Sequence, residues 1–273
     1  MEWSRRVVVR DGVRLVCRDG GGGPGPAVVL LHGLAGHVGE WDALAERLSR
    51  RHRVVVVDQR GHGASERRPD DVSRAAFVAD VVAVAERLAP DRPVLVGQSL
   101  GGHTALLTAA ARPALVRGLV LVEAAPRDPD PRAPRAIGAW LDSWPVPFSS
   151  RAAAVSFFGG GPAGEGWAAG LERHEDGWRP RFDRDVMIAA LAETVRCSSL
   201  PAWRRVGCPT LAVFARSGLV PAPAVDTMLA QRPATLAVSV PGTGHDLHME
   251  RPEVLHGLLE EFLAGLDGLS PQR

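Results

Sequence analysis

Residues 93–111 read Pro93-Val94-Leu95-Val96-Gly97-Gln98-Ser99-Leu100-Gly101-Gly102-His103-Thr104-Ala105-Leu106-Leu107-Thr108-Ala109-Ala110-Ala111. The unbroken apolar run Pro93 to Gly97 predicts a buried strand, and Leu100 to Ala111 predicts a helix. Ser99 stands on the sharp turn between them. Such a turn lifts the serine hydroxyl above the end of the strand. Gly97 and Gly101, two residues to either side, remove the crowding that any Cβ would create there.

The same alternation runs outward from this turn. Upstream, Val7 to Val9 and Leu15 to Cys17 read as a hairpin turning at Asp11-Gly12. The Gly20 to Gly25 stretch, broken only by Pro24, reads as a flexible connector, because no Gly-Lys-Ser/Thr follows to make a phosphate cradle. Ala27 to Leu31 and Arg53 to Val57 read as buried strands, Trp41 to Leu48 as a helix, and Ser73 to Leu88 as a helix capped by Ser73. Downstream, Gly118 to Val122, Thr210 to Phe214 and Thr235 to Val240 read as strands, and Pro252 to Leu266 as a closing helix. Val/Leu runs separated by helices predict an α/β fold with a parallel sheet covered on both faces.

Between Pro126 and Arg205 the alternation fails. That stretch is rich in Pro, Gly and Trp, its helical pieces are short, and it reads as an insertion on the sheet. The expected organisation is a core of residues 1–125 and 206–273 with an insertion over 126–205. Most aromatic side chains of the chain lie in the insertion: Trp140, Trp144, Phe148, Phe157, Phe158, Trp167, Trp178, Phe182 and Trp203, with Met187 among them. Some must form its own small core. A short, Pro-rich insertion cannot bury them all, so Trp140, Trp144, Trp178 and Trp203 are the candidates for contact with a ligand.

The chain has 273 residues, of which 45% are hydrophobic, enough for one substantial core. Its 32 basic and 31 acidic residues leave a net charge of +1, so composition offers no basic face for nucleic acid or an anionic membrane. Every basic side chain other than histidine is Arg, which we attribute to genome composition. Cys17, Cys197 and Cys208 are far apart and make no metal spacing. The N-terminal Met1-Glu2-Trp3-Ser4-Arg5-Arg6 has no apolar signal region. The expectation is a cytoplasmic protein with reduced thiols.

Three further segments carry chemistry. Leu31-His32-Gly33-Leu34-Ala35-Gly36 ends the Ala27 strand. Asp58-Gln59-Arg60-Gly61-His62-Gly63-Ala64-Ser65 follows the Arg53 strand and reads as a structural loop. Pro241-Gly242-Thr243-Gly244-His245 follows the last strand, where a histidine on a Gly-rich loop can reach the serine hydroxyl. His248 competes with His245 as the base. A zinc site from His245, His248 and Glu250 is the other reading of this loop, without a further ligand set in its favour. His103 reads as packed on its helix.

In this order and spacing the segments resemble the α/β-hydrolase superfamily over residues 27–125 and 206–266. The resemblance implies the α/β-hydrolase fold: an eight-stranded, mostly parallel sheet, helices on both faces and a helical cap insertion. It implies no cofactor and no metal. It also implies Ser99 as nucleophile, His245 as general base, and the backbone N–H groups of Leu34 and Leu100 as oxyanion donors. Serine at the turn argues against haloalkane dehalogenase and epoxide hydrolase chemistry, where the resemblance would require Asp.

The chain departs from the family at the triad acid. Most members place an Asp after the seventh strand; here that loop reads Phe214-Ala215-Arg216-Ser217-Gly218-Leu219-Val220-Pro221, with Gly218 at the expected position. Some members, zearalenone-type lactonases among them, place the acid after the sixth strand, which here ends Val120-Leu121-Val122-Glu123. Glu123 is therefore the expected acid, with Asp128, Asp130 and Asp226 as alternatives. The implied activity is hydrolysis of a largely apolar small-molecule ester or lactone through an acyl-enzyme. An acyltransferase or carbon–carbon bond hydrolase on the same triad, and a non-catalytic binding protein of the same fold, are the rival readings.

Overall fold

The computed structural model describes residues 3–268. Residues 1, 2 and 269–273, at the outer ends of the expected core, lie outside the described residues, as does the start of the N-terminal stretch read above.

Eight strands form one sheet: β1 (Ser4–Arg10), β2 (Val13–Asp19), β3 (Gly25–Leu31), β4 (His52–Val57), β5 (Val94–Gln98), β6 (Gly118–Val122), β9 (Thr210–Ala215) and β10 (Leu236–Val240). Their order across the sheet is β1-β2-β4-β3-β5-β6-β9-β10. The β1–β2 and β2–β4 pairs are antiparallel, and every pair from β4 to β10 is parallel. Asp11 and Gly12 turn the first hairpin at φ +48° and +77°, the backbone a tight two-residue hairpin demands. The eight strands lie where the unbroken apolar runs place them, to within a few residues.

Successive residues on a strand point to opposite faces, and the sheet has a core on each. Val29, Leu31, Val55, Val57 and Leu95 pack one way, toward α2 (Arg74–Leu88) and α3 (Leu100–Ala111). Val28, Leu30, Val54, Val56 and Val96 pack the other way, toward α1 (Asp42–Leu48) and the closing helix (Pro252–Gly268). Ser73 caps α2 by accepting from Ala76 N at 3.2 Å. No helix among the described residues is long and apolar enough to cross a membrane.

The segment between β6 and β9 holds α4 (Ala133–Asp142), α5 (Arg151–Phe157), α6 (Gly161–Ala169), the hairpin β7 (Leu171–His174) and β8 (Gly177–Pro180), α7 (Arg184–Thr194) and α8 (Leu200–Arg205). The hairpin is absent from the sequence reading because its strands carry no apolar alternation. Leu141, Trp144, Phe148, Ala154, Ala168 and Met187 form a separate buried cluster here, with Trp167, Trp178 and Phe182 packed on it. α8 behaves differently. Trp203 is fully buried in the cluster beneath the sheet, its Nε1 donating to Met228 O at 3.0 Å and Arg232 lying 4.6 Å over its ring.

Candidate active site

The turn at Ser99 has a physical signature. Ser99 sits at φ +49°, ψ −112°, a strained conformation for any residue with a Cβ. Tight packing holds it there. A Cβ on Gly97 would run into the Gly101 carbonyl, and one on Gly101 into the Leu31 carbonyl. Ser99 N donates to Val122 O at 3.0 Å, tying the turn to the end of β6. As the first residue of α3, Leu100 presents an N–H with no acceptor inside its own helix.

Glu123 extends β6 by one residue and is likewise at positive φ, +48°. Its side chain is fully buried. Oε1 accepts from Ala215 N at 2.7 Å; Oε2 accepts from Leu219 N at 2.9 Å and meets His245 Nδ1 at 3.1 Å. Ala215 ends β9 and Leu219 lies in the loop after it, where the superfamily pattern expects an acid. A Cβ on Gly218 would fall directly on the Glu123 carboxylate. The charge thus occupies the place next to His245 that an Asp at 218 would fill, supplied instead from the neighbouring strand. Asp128 and Asp226 are exposed, and Asp130 is held by Arg132 at 3.0 Å.

Ser99, Glu123 and His245 all line one cavity of about 530 Å³, together with Gly33, Leu34 and Leu100. Among the described residues the Ser99 hydroxyl makes no hydrogen bond to the imidazole; such contacts often tighten only when substrate is bound. Most of the remaining wall is apolar, including Ala136, Ile137, Trp140, Trp167, Leu219 and Val220.

The four tryptophans chosen from the sequence separate here. Trp140 lines the cavity and is 37% exposed at its surface. Trp144 is buried at the centre of the aromatic cluster, with the rings of Phe158 and Phe182 at 4.8 and 5.5 Å. Trp178 bridges to Phe148 through backbone hydrogen bonds of 2.9 Å each way. Trp203 lies in the core already described. These three do not line the cavity, so their assignment as ligand contacts is corrected: packing against other aromatics claims them first. Trp167 does line it, and donates from Nε1 to Asp246 Oδ2 at 2.8 Å.

Other polar residues prove structural. His32 Nε2 accepts from Gln59 N at 3.0 Å, so its proton is on Nδ1, donating to Gly33 O at 2.7 Å. Burial lowers its pKa to about 4, and that of His62 to about 3. Asp58 accepts from Val38 N and Ala64 N, both at 2.8 Å, fixing its loop. His248 does not share the cavity lining with His245. Its Nε2 lies 3.5 Å from Glu40 Oε2, both side chains almost wholly buried, with Trp41 packed on the imidazole at 4.7 Å. Glu250 accepts from Gly244 N at 2.8 Å.

Sequence reading missed Gln98 and Glu40. Gln98 Nε2 donates to His245 O at 3.1 Å, and its Oε1 fills the space a Cβ on Gly33 would need. It joins the loop of Leu34 to the loop of His245 from beneath. Its position inside the turn motif was the available signal. Glu40 lines the cavity beside Gly36; nothing in its local sequence marks it.

The fold and these contacts define a class. A model of the alpha/beta hydrolase family matches residues 28–257, and the chain belongs to that family. It is 29% identical over 248 residues to 2-(acetamidomethylene)succinate hydrolase of Mesorhizobium japonicum, a match covering 88% of this chain and 89% of that protein. The crystal structure of an E-2-(acetamidomethylene)succinate hydrolase superposes with a TM-score of 0.87 at 28% identity, covering 96% of this chain and 100% of that one. A shorter stretch of 104 residues is 42% identical to a pimeloyl-[acyl-carrier protein] methyl ester esterase of Nitrosomonas europaea; it spans 38% of this chain and 39% of that protein.

Proposed function

We propose that this hydrolase cleaves a carboxylic ester or lactone of a small, largely apolar molecule through Ser99, His245 and Glu123. The observation that carries the reading is the Glu123 carboxylate at His245 Nδ1, in the same cavity as a strained serine turn. In this mechanism Nδ1–H donates to Glu123, which leaves Nε2 free to take the Ser99 proton. Ser99 Oγ attacks the carbonyl carbon. The backbone N–H groups of Leu34 and Leu100 hold the oxyanion, and His245 returns the proton to the departing alkoxide. Water then attacks the acyl-enzyme with His245 again as base, releasing the acid and restoring the Ser99 hydroxyl.

In the same proposal residues 126–205 act as a cap, with Trp140 and Trp167 contributing apolar contact, and the protein works in the cytoplasm on a small-molecule substrate. The test is a panel of aryl esters and lactones on purified protein, with fluorophosphonate labelling of Ser99. Turnover that disappears in Ser99→Ala supports the reading; no labelling and no turnover reject it. The similarity over most of the chain to 2-(acetamidomethylene)succinate hydrolase favours a second reading, hydrolysis of that compound, and it belongs in the same panel.

A further inference from the structure

The polar groups of the cavity wall are unevenly committed. Of its carboxylates, Glu123 has His245 and two amides, Asp246 has Trp167 Nε1, and Glu40 lies 3.5 Å from His248 Nε2 with its Oε1 unbonded. The basic groups of the wall have no such contacts. Arg127 and His103 both line the cavity. Among the described residues the Arg127 guanidinium makes no ion pair and no side-chain hydrogen bond. Its backbone, by contrast, is pinned from both sides: Arg127 N donates to Ser199 Oγ at 2.9 Å, and Ser199 N donates to Arg127 O at 3.0 Å. His103 Nδ1 is buried without a hydrogen-bond partner.

A second positive group stands behind this wall. Arg74 is buried, donates from Nη2 to the hydroxyl of Thr104, the neighbour of His103, and leaves Nε and Nη1 without acceptors. Burial lowers its pKa to about 9, so it keeps its charge at neutral pH. The carboxylate acting on it, Glu193, is bound to Arg196 at 2.8 Å. Asp130, the acid near Arg127, is bound by Arg132. Burial, with Arg74 and Arg127 nearby, holds His103 well below its usual protonation range. His103 therefore meets a ligand as a neutral imidazole, and Arg127 supplies the charge.

We propose that His103 and Arg127 form a subsite for a carboxylate carried by the substrate. This rests on the ester-hydrolase reading and specifies its substrate as an ester with a second, anionic end. Position sets the spacing. Ser99 directly precedes α3 and His103 lies in its first turn, its N–H donating to Ser99 O at 3.0 Å. One helical turn rises about 5.4 Å. The carboxylate then lies about three methylenes from the scissile carbonyl, the length of a glutarate half-ester. Arg is suited to the task because its planar fork can bind both carboxylate oxygens at once.

The test uses full-length Ser99→Ala protein, which binds without turning over, and calorimetric titration with two ligands of similar shape: monomethyl glutarate and methyl pentanoate. The charged ligand is expected to bind at least tenfold more tightly. Arg127→Gln and His103→Gln, each in the Ser99→Ala background and checked for an intact melt, are expected to cut that preference to threefold or less. Equal binding of the two ligands overturns the subsite. So does a preference that survives in both variants. Because the readout is binding, absence of ester turnover in the wild type would reject the hydrolase reading without deciding the subsite. Ser99-dependent turnover of neutral esters without charge preference would reject the subsite alone.

Discussion

Replacing Glu123 by Gln keeps size and shape and removes the charge beside His245. The carboxylate accepts from Ala215 N, Leu219 N and His245 Nδ1 with no exposure to solvent. An amide offers one oxygen, so at least one of those three donors faces an NH2 group instead. If that donor is the imidazole, His245 takes the wrong tautomer or turns away, and activity is expected to fall by as much as ~10⁴-fold, about 5.4 kcal/mol of transition-state stabilisation. A stranded backbone N–H adds a stability loss of about 1–3 kcal/mol. The two effects separate in assay: initial rates on an aryl acetate and the rate of fluorophosphonate labelling read the first, and urea unfolding reads the second. Gly218→Asp alone should be harmful, since its side chain would collide with Glu123. Glu123→Gly combined with Gly218→Asp should recover part of the lost rate, with glycine suited to φ +48° at 123. Activity of Glu123→Gln within tenfold of wild type would refute the reasoning.

Ser99→Ala and His245→Ala should each abolish turnover with the fold intact, whereas His248→Ala should remove a buried ring packed on Trp41, cost about 1–3 kcal/mol of stability and spare activity per folded molecule; rates normalised to folded protein would expose a reversal. Trp140→Ala should weaken bulky esters more than acetates, because it lines the cavity, while Trp144→Ala should cost about 3–5 kcal/mol of stability as a buried aromatic; thermal melts beside kinetics for two ester sizes distinguish them. Stability should fall on acidification below about pH 6.5. The unfolded chain protonates its histidines there, while His32 and His62 stay neutral in the fold down to about 4 and about 3. The expected slope is up to ~1.4 kcal/mol per pH unit for each histidine. Urea midpoints that stay flat from pH 7 to 5 would contradict it, and His62→Gln should reduce the slope.

The sheet was legible because a strand covered on both faces must be apolar at every position, and Val54 to Val57 or Leu119 to Val122 leave no other reading. The Ser99 turn was legible because close backbone approach demands glycine at fixed offsets. The contact of Glu123 with His245 was legible indirectly, through the missing carboxylate at Gly218. The insertion was harder to read. Whether a tryptophan packs on its neighbours or faces a cavity depends on how short helices meet, which explains why Trp140 and Trp144, four residues apart on and just beyond α4, part company. Trp203 was misplaced because sequence position alone put α8 with the insertion. Glu40 with His248, and Arg74 beside Thr104, join segments remote in sequence, and no local pattern announces such meetings.

In the proposed triad, what the imidazole requires is a negative charge at Nδ1, not a particular residue. β6 and β9 are parallel neighbours, with Val122 opposite Val213, so their ends open onto the same space. Either strand can deliver a carboxylate there, but not both, since the side chains would overlap at Gly218. Delivery from β6 has its own conditions. The backbone must turn at once, which accounts for the positive φ of Glu123, and Glu123 N remains on Val213 O at 2.9 Å, still in step with the sheet. The other strand keeps a part in the arrangement: its last residue and the loop beyond it, without a carboxylate of their own, turn Ala215 N and Leu219 N toward the one that arrives. Gly218 is thus the complement of Glu123, and the two positions are expected to vary together.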